Sequence, residues 1–155
     1  SGLVFYPGQE TSMAFSMVEK FEFEEGRWNT GIPLGTPGAK TPTPPPADPK
    51  APPMRGFFVA WDPVAQKPRW RIDFQPSGGA LSTAGQLVFV GSAGGVLFAM
   101  DPETGKALWE YKMMPGVATP ISYELDGKQY IAVMSGSAKG RIFAFALDAK
   151  APAAP

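Results

Sequence analysis

The chain has 155 residues, and its 14 Lys plus Arg balance 14 Asp plus Glu, so no net field draws it towards polyanions such as nucleic acid. It contains neither Cys nor His, which removes disulfides, zinc sites of the usual kind, covalent haem attachment, thiol nucleophiles and the Ser–His–Asp triad. Gly and Pro, 18 each, are too frequent for a helical protein, because both disfavour helix interiors.

In chain order, GLVFYPG at residues 2–8 supplies a first β run over residues 3–6, followed by QETSM. EKFEFEEGRW at residues 19–28 alternates charged and aromatic residues, the pattern of an edge strand with one solvated face. Eight prolines then fall within residues 36–53, TPGAKTPTPPPADPKAPP, and two more in the tail APAAP. Such a run lacks backbone donors and reads as an extended surface loop over residues 36–56, either a tether or a ligand for a proline-recognition domain. FVAWDPVAQKPRW follows, ending at Trp70. Next come short β runs at residues 80–83, 87–91, 96–101 and 108–112, separated by AG, SAGG and DPETGK turns. YIAVMSG at residues 130–136 and a run over residues 141–148 end the readable pattern before a disordered tail at 150–155.

These runs repeat. FVAWDPVAQKPRW and LFAMDPETGKALW align with an offset of 39 residues, placing Ala60 on Ala99, Asp62 on Asp101, Lys67 on Lys106 and Trp70 on Trp109, with Gln66 where the second copy has Gly105. FALDAK at residues 145–150 begins a third copy, and GLVFYPG, QLVFVGS and YIAVMSG form a second repeated pattern. The Asp can bond backbone amides of a tight turn, Gly105 can take a left-handed conformation, and the Trp can close one unit on its neighbour. Four antiparallel strands in about 40 residues are the repeat of a β-propeller, in which each sheet buries its faces by stacking on the next. The fold expectation is therefore all-β. Residues 1–35 start an incomplete blade that lacks its first strand, and residues 57–75 end it. Residues 76–115 form a complete four-stranded blade, and residues 116–149 a last blade without its final strand. Two and a half blades cannot close a ring, so the chain is expected to be completed by another chain or by a missing N-terminal segment.

The run from residue 78 to 136, GGALSTAGQLVFVGSAGGVLFAMDPETGKALWEYKMMPGVATPISYELDGKQYIAVMSG, together with LVFYPGQETSM and RGFFVAWDPVAQKPRW, resembles the last blades of the pyrroloquinoline-quinone (PQQ)-dependent alcohol dehydrogenases, and the tryptophan-docking repeat is that family's blade signature. The resemblance implies an eight-bladed propeller that holds PQQ and a Ca²⁺ or lanthanide ion near its axis. It further implies a periplasmic enzyme oxidising primary or secondary alcohols or polyols to aldehydes or ketones by hydride transfer to the quinone. The family's metal ligands and aspartate base lie upstream of this region, so neither a catalytic nor a metal-ligating residue is assigned here.

Three positions carry the implied cofactor contact. Gln9 stands where several relatives place an Asn that reaches the quinone, and its longer amide can still donate. Ser77, before Gly78, stands where methanol dehydrogenases place a Trp, which alters or opens the pocket. All three can equally be plain loop residues. The implied partners are the N-terminal remainder of the propeller, an alcohol and an electron acceptor such as a cytochrome c. The acidic run at 19–28 is a candidate for docking that acceptor, and Met13, Met17, Met113 and Met114 for lining a substrate entrance, against plain edge-strand and packing roles. A non-catalytic scaffold or an interaction module built on the Pro-rich loop is the alternative reading of the whole.

Overall fold

The computed structural model describes residues 1–11, 17, 20–23, 25–26, 29, 31, 55–136 and 139–147. The chain divides into two compact units, Ser1–Glu10 with Arg55–Pro155, and Thr11–Met54. The core of the Pro-rich segment and the tail from residue 148 lie outside the described residues, as does Met13.

Among its described residues the regular elements of the first unit are all strands: β1 (Val4–Glu10), β2 (Arg55–Asp62), β3 (Lys67–Asp73), β4 (Pro76–Thr83), β5 (Leu87–Ser92), β6 (Val96–Met100), β7 (Ala107–Lys112), β8 (Ile121–Leu125), β9 (Lys128–Ser135) and β10 (Arg141–Phe145). They form three antiparallel sheets, ordered β1-β2-β3, β4-β5-β6-β7 and β10-β9-β8. Neighbours in sequence are neighbours in space, as expected of a meander whose turns are short. The β8–β9 hairpin shows why: Leu125 pairs with Lys128 across Asp126 and Gly127, both at positive φ, and a two-residue loop of that kind matches the strands' own twist.

The apolar runs have a common cause. Side chains along a strand alternate between faces, so an uninterrupted apolar strand must be covered on both. β5, LVFVGS, is buried from Val88 onward. Val88 and Val90 join Phe58 and Met100 in one cluster, with Phe5, Trp70, Phe74, Ala80 and Phe98 packed against it. Phe89 joins Leu97, Ala99, Val117 and Val133 in the other. The four-stranded sheet is thus the middle layer of a stack, with one seam against the first sheet and one against the last. Each large side chain fully buried in such a seam contributes about 1.5–3 kcal/mol. Rings bridge both seams: Phe58 to Phe74 and Phe74 to Phe98 on one side, Trp109 and Tyr111 to Phe145 on the other, with centroids 5.1–6.3 Å apart.

Several strand limits differ from the sequence expectation. The first run extends past residue 6 to Glu10, because β1 lies at a sheet edge, where Pro7 can pair with Phe58 without needing a donor on its free side. β4 starts at Pro76, four residues early, through a register shift between Pro76 and Ala80. β10 ends at Phe145 rather than at residue 148. β2 begins at Arg55, inside the expected loop 36–56. In the second unit no strand is found among the described residues of the expected edge strand 19–28: Lys20 lies in a bend, and Glu25 and Gly26 in a turn. There Lys20 bonds Glu22 at 2.7 Å, a local ion pair that accounts for two of the alternating charges, and Phe21 and Phe23 are exposed.

Candidate functional site

The repeated motif folds into the same device twice. In the second copy Asp101 Oδ1 accepts from the backbone N–H of Glu103 and of Thr104, each at 2.8 Å, while the Gly105 N–H donates to Asp101 O. In the first copy Asp62 Oδ1 accepts from Val64 and Ala65 at 3.0 and 2.9 Å, and Arg69 donates to its Oδ2. Both strand pairs shift register just after the motif alanine, between Ala60 and Trp61 and between Ala99 and Met100. Gly105 sits at φ +71°, and Gln66, its counterpart, takes a similar left-handed turn at φ 53° despite its side chain.

The turn is also the docking surface. Trp70 Nε1 donates to Pro102 O at 2.9 Å, and a Cβ added at Gly105 would lie 2.9 Å from the Trp70 ring and from Ile72. The indole therefore lies flush on bare backbone of the next sheet, which only glycine permits. Trp109 stands 40% exposed, with Phe145 and Tyr111 against it, so the two tryptophans of the repeat do not share one environment.

The Asp carboxylates carry a pH signature. Donation from the Ala65 and Thr104 N–H groups is the main influence holding Asp62 and Asp101, respectively, below the ordinary value of 3.8. A depressed carboxylate contributes stability that is present above its unfolded pKa and is lost as pH falls through the folded one. Asp101→Asn is accordingly expected to unfold at lower temperature than the parent at pH 7, with the gap closing progressively below pH 3.8. Thermal melts at pH 7 and pH 3 check this; an equal gap at both would show that charge is irrelevant to the turn.

At the other end of the strands, Gln9 and Gly78 come together. With Pro7, Gly8 and Pro76 they line an open cleft of about 300 Å³ between the ends of β1 and β4. Gln9 is a strand residue paired with Gly56, not a residue of a following loop, and its side chain is exposed. Ser77 and Gly78 likewise belong to β4, within its irregular stretch, and Ser77 does not line the cleft.

Two supports of this cleft escaped the sequence reading. Thr119 Oγ1 accepts from the Gly79 N–H at 2.7 Å, and a Cβ at Gly78, which has φ +81°, would lie 2.9 Å from Thr119 N. Gly56 lets the crossing chain pass: a Cβ there would lie 2.6 Å from Phe74 O and Gln75 Oε1. The GVATPI and MRGFF runs carry no pattern that marks either role. Of the methionines, Met113 packs against the buried cluster of the last seam, Met114 O accepts from the Ser135 hydroxyl, and Met17 is exposed.

The cleft offers an amide side chain beside flat Pro and Gly surfaces, a donor set that fits one edge of a planar, oxygen-rich ring. Among the described residues no group of three or more His, Cys, Asp or Glu could hold a metal ion.

A family model described as the glucose/ethanol/alcohol dehydrogenase β-propeller domain matches residues 59–131. The chain is 34% identical to the quinohemoprotein alcohol dehydrogenase ADH IIB of Pseudomonas putida, over 100% of this chain and 24% of that protein. It is 32% identical to the 1-butanol dehydrogenase (cytochrome c) of Thauera butanivorans, over 97% of this chain and 24% of that one. The crystal structure of quinohemoprotein alcohol dehydrogenase from Comamonas testosteroni superposes with a TM-score of 0.73 at 30% identity, covering 97% of this chain and 25% of the other. The chain thus spans about a quarter of the length of these relatives.

Proposed function

Since the chain belongs to the PQQ-dependent alcohol dehydrogenase family of β-propellers, we propose that the protein it represents oxidises primary or secondary alcohols or polyols to aldehydes or ketones in the periplasm. In this reading the three sheets are blades of an eight-bladed propeller, and the rest of the propeller supplies the aspartate base and the ligands of a Ca²⁺ or lanthanide ion. Electrons leave to an acceptor such as a cytochrome c, in keeping with the names of the relatives.

PQQ, when bound, supplies the two-electron acceptor that no side chain of this protein provides. This chain's share is to hold one edge of it. Gln9 would donate from its amide to that edge, and Gly78, Pro7 and Pro76 would form the flat wall beside it. Ser77, outside the cleft lining, has a lesser part. The observation that carries this reading is the meeting of Gln9 and Gly78, 69 positions apart in sequence, in one open cleft.

The test is a titration of the apo form of the full-length protein with PQQ in the presence of Ca²⁺. Loss of one hydrogen bond of about 0.5–1.5 kcal/mol predicts that Gln9→Ala weakens PQQ binding about twofold to tenfold. An unchanged dissociation constant removes Gln9 from the site, and a parent protein that binds no PQQ and oxidises no alcohol fits the scaffold reading instead.

A further inference from the structure

We propose that Arg71 is a positioning residue for Gln9, holding the end of β1 in place from the face of the sheet opposite the cleft. The inference rests on the assignment of Gln9 to the quinone edge and concerns how that amide is kept in register.

Successive residues of β1 point to opposite faces. Gln9 lines the cleft with Pro76 and Gly78, so the Glu10 side chain and the Cβ direction of Gly8, which reaches the cleft by its backbone alone, belong to the other face. On that far face the Phe57 ring closes over Gly8 so tightly that a Cβ there would collide with it. The Arg71 guanidinium carbon lies 4.0 Å from the centroid of the same ring. Its Nη2 donates to Glu10 Oε1 at 3.0 Å, and its Nε donates to Asp73 Oδ1 at 3.0 Å.

One side chain of β3 therefore crosses β2 and ties down the last residue of β1. The flat, forked guanidinium suits this task, since it stacks on the ring and still offers two separate donors. Within the described sheet β1 is paired on one side only, by β2. Glu10 is adjacent to Gln9, and movement of one carries the other. Arg71 and Glu10 are both partly exposed, and ion pairs in that setting are individually weak. The expected effect is accordingly modest, and its signature is coupling.

The experiment is a double-mutant cycle on PQQ affinity in the full-length protein with Ca²⁺, comparing the parent, Gln9→Ala, Arg71→Met and the double variant. Arg71→Met is expected to raise the dissociation constant about threefold in the parent background and not at all in the Gln9→Ala background, because a misplaced amide matters only where there is an amide. Equal weakening in both backgrounds overturns the proposal by showing a general structural effect. No weakening by Arg71→Met, where Gln9→Ala does weaken binding, overturns it alone. No effect of Gln9→Ala overturns both the proposal and the assignment beneath it. Should Arg71→Met not fold, Glu10→Gln takes its place: it leaves the guanidinium on Phe57 and removes its charged partner on β1, with the same coupled loss expected at smaller size.

Discussion

Trp70→Ala is expected to destabilise the protein by about 3–5 kcal/mol, the range for truncating a large aromatic at a packed site. Three contacts are lost together. The indole covers Gly105 in the adjoining sheet, it packs 5.6 Å from Phe58 and 6.0 Å from Phe5, and its N–H satisfies Pro102 O. Phe58 is wholly buried, so truncation opens a void beside it that the surrounding sheets can fill only by approaching each other. Trp70→Phe separates the parts, keeping a ring in the seam and losing the donor, for an expected cost nearer 1–2 kcal/mol. Chemical denaturation of parent and variants measures both. A Trp70→Ala variant within 1 kcal/mol of the parent would mean that the seam between the first two sheets is held elsewhere.

Gly56→Ala should be felt twice. Gly56 pairs with Gln9 across β1 and β2, and an added methyl would meet Phe74 O, Gln75 Oε1 and, at 2.8 Å, Gln75 Cα. The Gln75 side chain can swing aside, but Phe74 O and Gln75 Cα are backbone and lead directly into Pro76 of β4. Overpacking of this kind costs about 1–3 kcal/mol, partly offset by the reduced freedom of an unfolded chain without that glycine. The second effect is on the cleft, since moving Gln75 moves Pro76 and Gly78 relative to Gln9. If Gln9 holds the quinone edge as proposed, PQQ affinity is expected to fall about tenfold, as much as the loss of a whole hydrogen bond at the upper end of its range. Denaturant midpoint and PQQ titration read the two effects separately. Unaltered affinity in a destabilised variant would show that β4 adjusts without disturbing the cleft.

The repeat was the most legible part of the sequence. Ala60, Asp62 and Trp70 recur as Ala99, Asp101 and Trp109 because one turn and one bulge are built twice, and each demands particular side chains. Apolar runs such as LVFVGS announced strands covered on both faces. The ends of the strands were harder. Pro7 and Gly8 read as a loop because proline and glycine usually stop a strand; neither does so here, since Pro7 lies on an edge and Gly8 makes room for Phe57. The resemblance drew attention to Gln9 and Gly78, and the structure places both in one cleft. Gly56 and Thr119 gave no such signal, because what they meet lies 18 or more residues away in the chain and depends on how the sheets cross.

Along β5 and β6 the middle sheet is covered on both faces. Stability in a stack of this kind is the sum of what each layer supplies and what each seam supplies, and the layer from Pro76 to Lys112 draws on two seams at once. The interval of 39 residues that defines the repeat in the sequence is therefore a unit of copying and not a unit of folding. A cut placed at its boundary would leave Val88 and Val90 bare on one face, or Phe89 and Leu97 bare on the other. Such a chain can be counted in repeats, but it cannot be divided into them.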